Sequence, residues 1–215
     1  MDNAARIEPV AVWGQGVESD LAWSPDGREL ARASGLGIDL VDVEPLAARQ
    51  FVASAFPVSQ VAYSPDGRYL AVAGTQVQLW DRRTLSVAAT LPGVIENGLF
   101  RLRFSPGGTW LVGIGTTSGG GDPGARLIVW RTADWQIQRT WETDFCGAGA
   151  DFALSPDGRQ LAMLVCGQLS VENTATGDML YRPNDQADAY LTAFSADGRE
   201  LIAGIRSGKN VLRFY

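Results

Sequence analysis

Arg101 and Arg103 stand two residues apart in the apolar stretch Leu99-Phe100-Arg101-Leu102-Arg103-Phe104. Residues at that spacing share one face of a strand, so the two guanidinium groups can act together on a carboxylate or another anion. A charge held inside a protein needs a partner, because an unpaired buried ion is costly. The candidate partners are Asp20 and Asp151, which hold the place of Arg101 in other copies of a repeated segment. These four residues support two readings: an internal ion-pair set, or a site that captures an anionic group.

Little other chemistry is on offer. None of the 215 residues is histidine, which excludes Ser-His and Cys-His catalysis, imidazole zinc sites and histidine pH switching from this chain alone. Cys146 and Cys166 are its two cysteines, too few for a tetrahedral thiolate site and too far apart for a C-x-x-C redox motif. They either pair as a disulfide, if the fold brings their Cα atoms within ~7 Å, or remain two thiols. No metal or cofactor is expected. Among 24 acidic residues no pair is marked by its spacing as the acid and nucleophile of a glycosidase. The net charge of −6 lacks the basic footprint that nucleic acid or an anionic membrane requires. No basic-then-apolar leader opens the sequence, and no run approaches 18 apolar residues, so a soluble chain is expected.

The elements that would position these residues are set by a repeat. Ser24-Pro25-Asp26-Gly27-Arg28-Glu29-Leu30-Ala31 recurs as Ser64-Pro65-Asp66-Gly67-Arg68-Tyr69-Leu70-Ala71, and three further copies begin at Ser105, Ser155 and Ser195, at intervals of 40, 41, 50 and 40 residues. Proline presets φ, Ser and Asp bond local amides, and Gly takes the φ > 0 position, so each copy predicts a β-hairpin. Apolar residues flank every turn almost without alternation, as expected for strands covered on both faces. A third strand ends at Leu79-Trp80-Asp81 and again at Val129-Trp130-Arg131. Fourth strands are predicted at 48–53, 86–91, 136–141 and 178–182.

A unit of ~40–45 residues with four strands and a Trp-Asp ending resembles the WD-repeat β-propeller family. The resemblance spans nearly the whole chain, although only Trp80-Asp81 keeps the signature dipeptide, Val41-Asp42 and Glu172-Asn173 stand in its place elsewhere, and no Gly-His pair occurs. The Ser-Pro-Asp-Gly turn is also similar to that of Tol-type periplasmic propellers and of propellers attached to some peptidases. The resemblance implies an all-β, single-domain chain over residues 1–215, or a fragment of a larger propeller, with five four-stranded blades. Closure of the ring is expected by pairing of Ile7 to Trp13 with Asn210 to Tyr215, because an unpaired edge invites aggregation. A closed ring would be a monomer.

Function in such a fold is expected on the loops of one face or at the mouth of the central channel. Two residues before each turn serine the chain has Ala22, Ala62, Arg103, Ala153 and Ala193, so Arg103 is the exception on the innermost strands. Relative to the second repeat, the third carries nine extra residues within Thr116 to Ala125; the glycine-rich core around Asp122 has no apolar anchor and reads as a tolerated insertion or a contact loop. Acidic Glu18, Glu96, Asp144, Asp185 and Asp188 fall in loops of the same face. They read as solvated charges or as a surface for a basic partner. The partner-binding candidates are therefore Arg101, Arg103, Asp20, Asp151, Glu96, Asp122 and Asp144. The turns themselves, with Trp80 and Trp130, are expected to be structural. WD-repeat propellers mostly bind proteins, so a protein-interaction scaffold is the leading expectation. A small-ligand or carbohydrate-binding propeller is the alternative, and a carboxylate-dependent hydrolase comes third.

Overall fold

The computed structural model describes residues 18–93, 99–117, 124–143, 150–165, 167–183, 189–207 and 209–214. Strands over these residues form five antiparallel sheets, and each sheet is a meander in which sequence neighbours pair. The first sheet holds β1 (Glu18–Trp23), β2 (Glu29–Ser34), β3 (Gly37–Val43) and β4 (Leu46–Ala53). The second holds β5 (Gln60–Tyr63), β6 (Tyr69–Ala73), β7 (Val77–Asp81) and β8 (Ser86–Thr90). In the third are β9 (Leu99–Phe104), β10 (Trp110–Thr117), β11 (Gly124–Arg131) and β12 (Gln136–Thr143). The fourth comprises β13 (Asp151–Leu154), β14 (Gln160–Val165), β15 (Gln168–Asn173) and β16 (Met179–Tyr181). The fifth has β17 (Ala189–Phe194), β18 (Leu201–Ser207) and β19 (Lys209–Phe214). The architecture is that of a β-propeller.

The Ser-Pro-Asp-Gly motif makes each hairpin by one set of bonds. In the first copy Ser24 Oγ donates to Asp26 Oδ1 at 2.6 Å, Asp26 accepts from Arg28 N at 3.2 Å, and Glu29 N donates back to Ser24 Oγ at 2.9 Å. Gly27 takes φ +68°, and the corresponding glycines of the other four turns lie at +70° to +71°, where a Cβ would be strained. The third turn has Gly107 in place of the aspartate; its serine still accepts from Trp110 N at 3.0 Å. With the register Leu154↔Leu161 and its counterparts, every turn sends the chain back beside its own first strand.

Burial explains why the apolar runs are continuous. Every residue of β5 is buried, whereas β8 and β16 are largely exposed, so the first strands are innermost and the fourth strands face water. The core lies in the seams between sheets. One cluster joins the first sheet to the second through Ala31, Ile38, Leu40, Val61, Leu70 and Trp80. Another joins the second to the third around Leu79, Leu102 and Trp130. Two more hold the third to the fourth and the fourth to the fifth. Trp80 and Trp130 are thus seam residues, as expected; Trp130 is fully buried and its Nε1 donates to Pro92 O at 2.8 Å.

One expectation needs revision. Thr116, Thr117, Gly124 and Ala125, assigned to the loop insertion, are paired strand residues, with Thr116 opposite Ala125 and Thr117 opposite Gly124. An insertion into a hairpin can extend its ladder before it forms a loop, and β10 and β11 are eight residues each against five for β6 and β7. Among the described residues the fifth sheet has three strands. The segment expected to complete it, Ile7 to Trp13, lies outside the described residues, as do Tyr215 and the 118–123 core of the insertion.

Candidate functional site

The innermost strands β1, β5, β9, β13 and β17 bring together four of the predicted residues. Asp20 and Asp151 each occupy the place four before the turn serine, and each does the same thing. Asp20 Oδ2 accepts from Val61 N of the next sheet at 3.1 Å, and Asp151 Oδ2 accepts from Thr192 N of the next sheet at 3.0 Å. Asp151 Oδ1 also takes the Phe152 amide at 2.8 Å. These carboxylates tie neighbouring innermost strands together by charge-assisted bonds.

The arginines complete the set. Arg101 Nε lies 2.6 Å from Asp151 Oδ1, across the third seam, with the arginine 37% exposed and the aspartate 5%. Arg103 Nη1 donates to Leu102 O at 2.8 Å and stands 3.9 Å from Asp20 Oδ2. Asp20 belongs to the first sheet and Arg103 to the third, so this contact passes over the second sheet. It is a loose pair, and Arg103 is 46% exposed. Gln60, in the corresponding place of the second sheet, turns its Nε2 to Ser59 O at 2.7 Å. The arrangement leaves guanidinium N–H groups of Arg103 accessible on a rigid inner lip, suited to a carboxylate. Among the described residues no group of three His, Cys, Asp or Glu could hold a metal ion.

The other predicted candidates, Glu96, Asp122 and Asp144, lie outside the described residues, and so do Asp185, Asp188, Cys146 and Cys166. Sequence reasoning missed two serines that work like the aspartates: Ser19 Oγ donates to Val58 O at 3.0 Å and Ser59 Oγ to Leu99 O at 2.6 Å, each reaching the next sheet. Their shared place, five before the turn serine, was a readable signal.

A second polar constellation lies at the opposite end of the strands, under the first seam. Glu29, 1% exposed, accepts from Tyr63 OH and from Arg82 Nε at 3.3 Å and pairs with Arg49. Burial, and then the bond to Glu29, push the Tyr63 phenol far above its ordinary range. Arg82 also forks onto Asp26, with contacts of 3.2 and 3.3 Å. The bonds from Ser24 Oγ and Arg28 N, with Arg82 beside it, hold Asp26 down to about 2. Read from sequence, Glu29 was part of a turn motif and Arg82 had no role.

A family model described as "WD domain, G-beta repeat" matches residues 48–81, the stretch from β4 to the Trp80-Asp81 dipeptide. No curated protein matches the chain. Among solved structures, a chain described as Kuenenia stuttgartiensis Hydrazine Synthase superposes with a TM-score of 0.71 at 19% identity, over 88% of this chain and 62% of that one. This chain therefore spans less than two thirds of that neighbour's length, and the likeness is one of fold. Residues 48–81 match a WD repeat, and the chain has the β-propeller fold.

Proposed function

We propose that the chain is a protein-interaction scaffold rather than an enzyme, and that a partner's carboxylate docks against Arg101 and Arg103 at the channel lip. The observation that carries this reading is the half-exposed Arg103, alone among alanines at its place on the innermost strands and only loosely held by Asp20. The WD-repeat match supports a binding role, and the lack of histidine supports a non-catalytic one. The overall charge of −6 favours a partner that is basic elsewhere on its surface, meeting the acidic loops that include Glu96, Asp122 and Asp144.

The same reading includes a ring of five blades closed by Ile7 to Trp13 on β19. Leu21 and Trp23 on β1 are 52% and 60% exposed, whereas Val61 and Tyr63, in the same places of β5, are buried against the preceding sheet. A face of that kind calls for cover. To test the binding role, the full chain is immobilised, proteins captured from its source cells are identified, and the purified candidate is titrated. Arg103→Ala should weaken stoichiometric binding at least ~10-fold with unchanged melting. Equal binding by wild type and variant would contradict the site, and finding no stoichiometric partner would contradict the scaffold.

A further inference from the structure

The first and second seams are built from quasi-equivalent residues, and one place that is filled in the first is open in the second. Arg82 N donates to Arg68 O at 3.0 Å, and Thr132 N donates to Thr109 O at 3.0 Å, so Thr132 stands where Arg82 does. By the same repeat Asp66 corresponds to Asp26, Phe104 to Tyr63, Tyr69 to Glu29 and Trp135 to Leu85. In the first seam the Arg82 guanidinium forks onto Asp26 and lies over the Tyr63 ring, 5.4 Å from its centroid.

In the second seam that guanidinium is missing. Thr132 Oγ1 donates to Gly108 O at 2.6 Å, and a groove of about 570 Å³, which Thr132 also lines, opens between Asp66, Tyr69, Phe104 and Trp135. Asp66 accepts from Ser64 Oγ and from Arg68 N at 3.0 Å, but no arginine pairs with it among the described residues. Trp135 stands edge-on to Tyr69 and Phe104, with centroids 5.7 and 6.4 Å away. It is held there at φ +59°, a conformation that a bulky residue adopts only when its surroundings impose it. Arg68 stacks on Tyr69 at 4.9 Å and forms the outer lip; its counterpart in the first seam, Arg28, is likewise exposed beside the place that Arg82 fills.

We propose that this groove binds the guanidinium of an arginine side chain presented by a partner protein, with Asp66 pairing to it and the Phe104 and Trp135 rings covering it. The first seam shows what the place accepts: a fork onto a turn carboxylate and an aromatic face for the cation. The acidic balance of the chain suits a partner that is basic there. The surface lies at the opposite end of the strands from the loops of the channel lip, and it does not depend on that reading.

The test uses the full chain with its tryptophan indoles labelled for NMR, and the probe N-acetyl-Gly-Arg-Gly-amide. The Trp135 indole signal should shift saturably with the arginine peptide, at least ~5-fold more weakly with the lysine analogue and not with the glutamine analogue. Thr132→Arg, which supplies the guanidinium from within, should abolish the shift and raise Tm by about 2–4 °C. Asp66→Asn keeps the acceptor for Ser64 and Arg68 but should weaken binding at least ~10-fold. Arg103→Ala should leave the titration unchanged, which separates this site from the channel lip. The proposal is overturned by a shift that Thr132→Arg or Asp66→Asn leaves intact, by equal binding of the glutamine peptide, or by no saturable shift.

Discussion

The undersides of the first and second seams solve one packing problem with opposite chemistry. Beneath the first, a buried carboxylate gathers a phenol and two guanidinium groups, Glu29 with Tyr63, Arg49 and Arg82. Beneath the second, Tyr69 takes the place of Glu29, and three aromatic rings meet edge to face around Trp135. The backbone is common to both: Leu85 and Trp135 bond to Asp81 O and Arg131 O at 2.8 Å and adopt φ +54° and +59°. In the fourth sheet Gly177 takes that place at φ +81°, against Arg139, which pairs with Glu172 across the third seam. The repeat thus dictates the path of the chain, while each seam dictates its own side chains. Where the core of a sheet packs only against its neighbours, such local choices need agree only across one seam.

That contrast can be broken from either side. The largest effect should come from the apolar seam: Trp130→Ala removes a fully buried indole and its bond to Pro92 O, and should cost about 3–5 kcal/mol in denaturant unfolding. A loss under ~1 kcal/mol would mean that the second seam does not rest on packing. On the charged side, Glu29→Ala strips a buried partner from Arg49 and Arg82. Both guanidinium groups reach water, so the expected loss is about 2 kcal/mol rather than the larger figure for a fully enclosed pair. It should shrink when Tyr63→Phe is combined with it, since the two share one network.

The smallest effect concerns the turns. Asp26, Asp66, Asp157 and Asp197 are all held below the usual carboxylate range, first by the serine hydroxyl of their own turn and then by the amide two residues on. A depressed carboxylate stabilises the fold above its unfolded value of ~3.9 and loses that contribution as pH falls through the folded value. For Asp26, that value is about 2. Melting temperature should therefore fall between pH 4 and pH 2. The third turn lacks the aspartate, and a Cβ on Gly107 would meet nothing within 4 Å. Gly107→Asp should raise Tm by about 1–2 °C at pH 7, and the gain should vanish near pH 2; a gain that persists there would come from the lost glycine freedom instead.

Much of the frame could be read from the sequence because turn chemistry is local. Five serines, four turn prolines and five turn glycines place the hairpins, and two tryptophans mark third strands. What escaped reading depends on neighbours some 40 residues away. Asp20 and Asp151 looked like charges awaiting arginines; that each also binds an amide of the next sheet follows only once two innermost strands lie side by side. Glu29 looked like one more residue after a turn, since Tyr69, Trp110 and Gln160 share its place without sharing its chemistry, and Glu200, the one other glutamate there, is exposed. Trp135, in a turn, gave no sign that its ring would close the floor of a seam. The ends of the Thr116 to Ala125 insertion read as loop because the glycine-rich run between them outweighed the strand preference of the two threonines, yet Thr116 and Thr117 pair with Ala125 and Gly124 as strand.

If every seam of the propeller is covered, the exposed face of β1 must be covered too. Four seams bury their apolar faces, while Leu21 and Trp23 remain exposed. Deleting residues 1–13 and following the product by sedimentation and thermal melting tests it directly. If those residues close the ring, the shortened chain should self-associate at micromolar concentration and melt lower than the full chain. A monomer that melts at the same temperature would show that they cover nothing, and the ring of five would have to be given up.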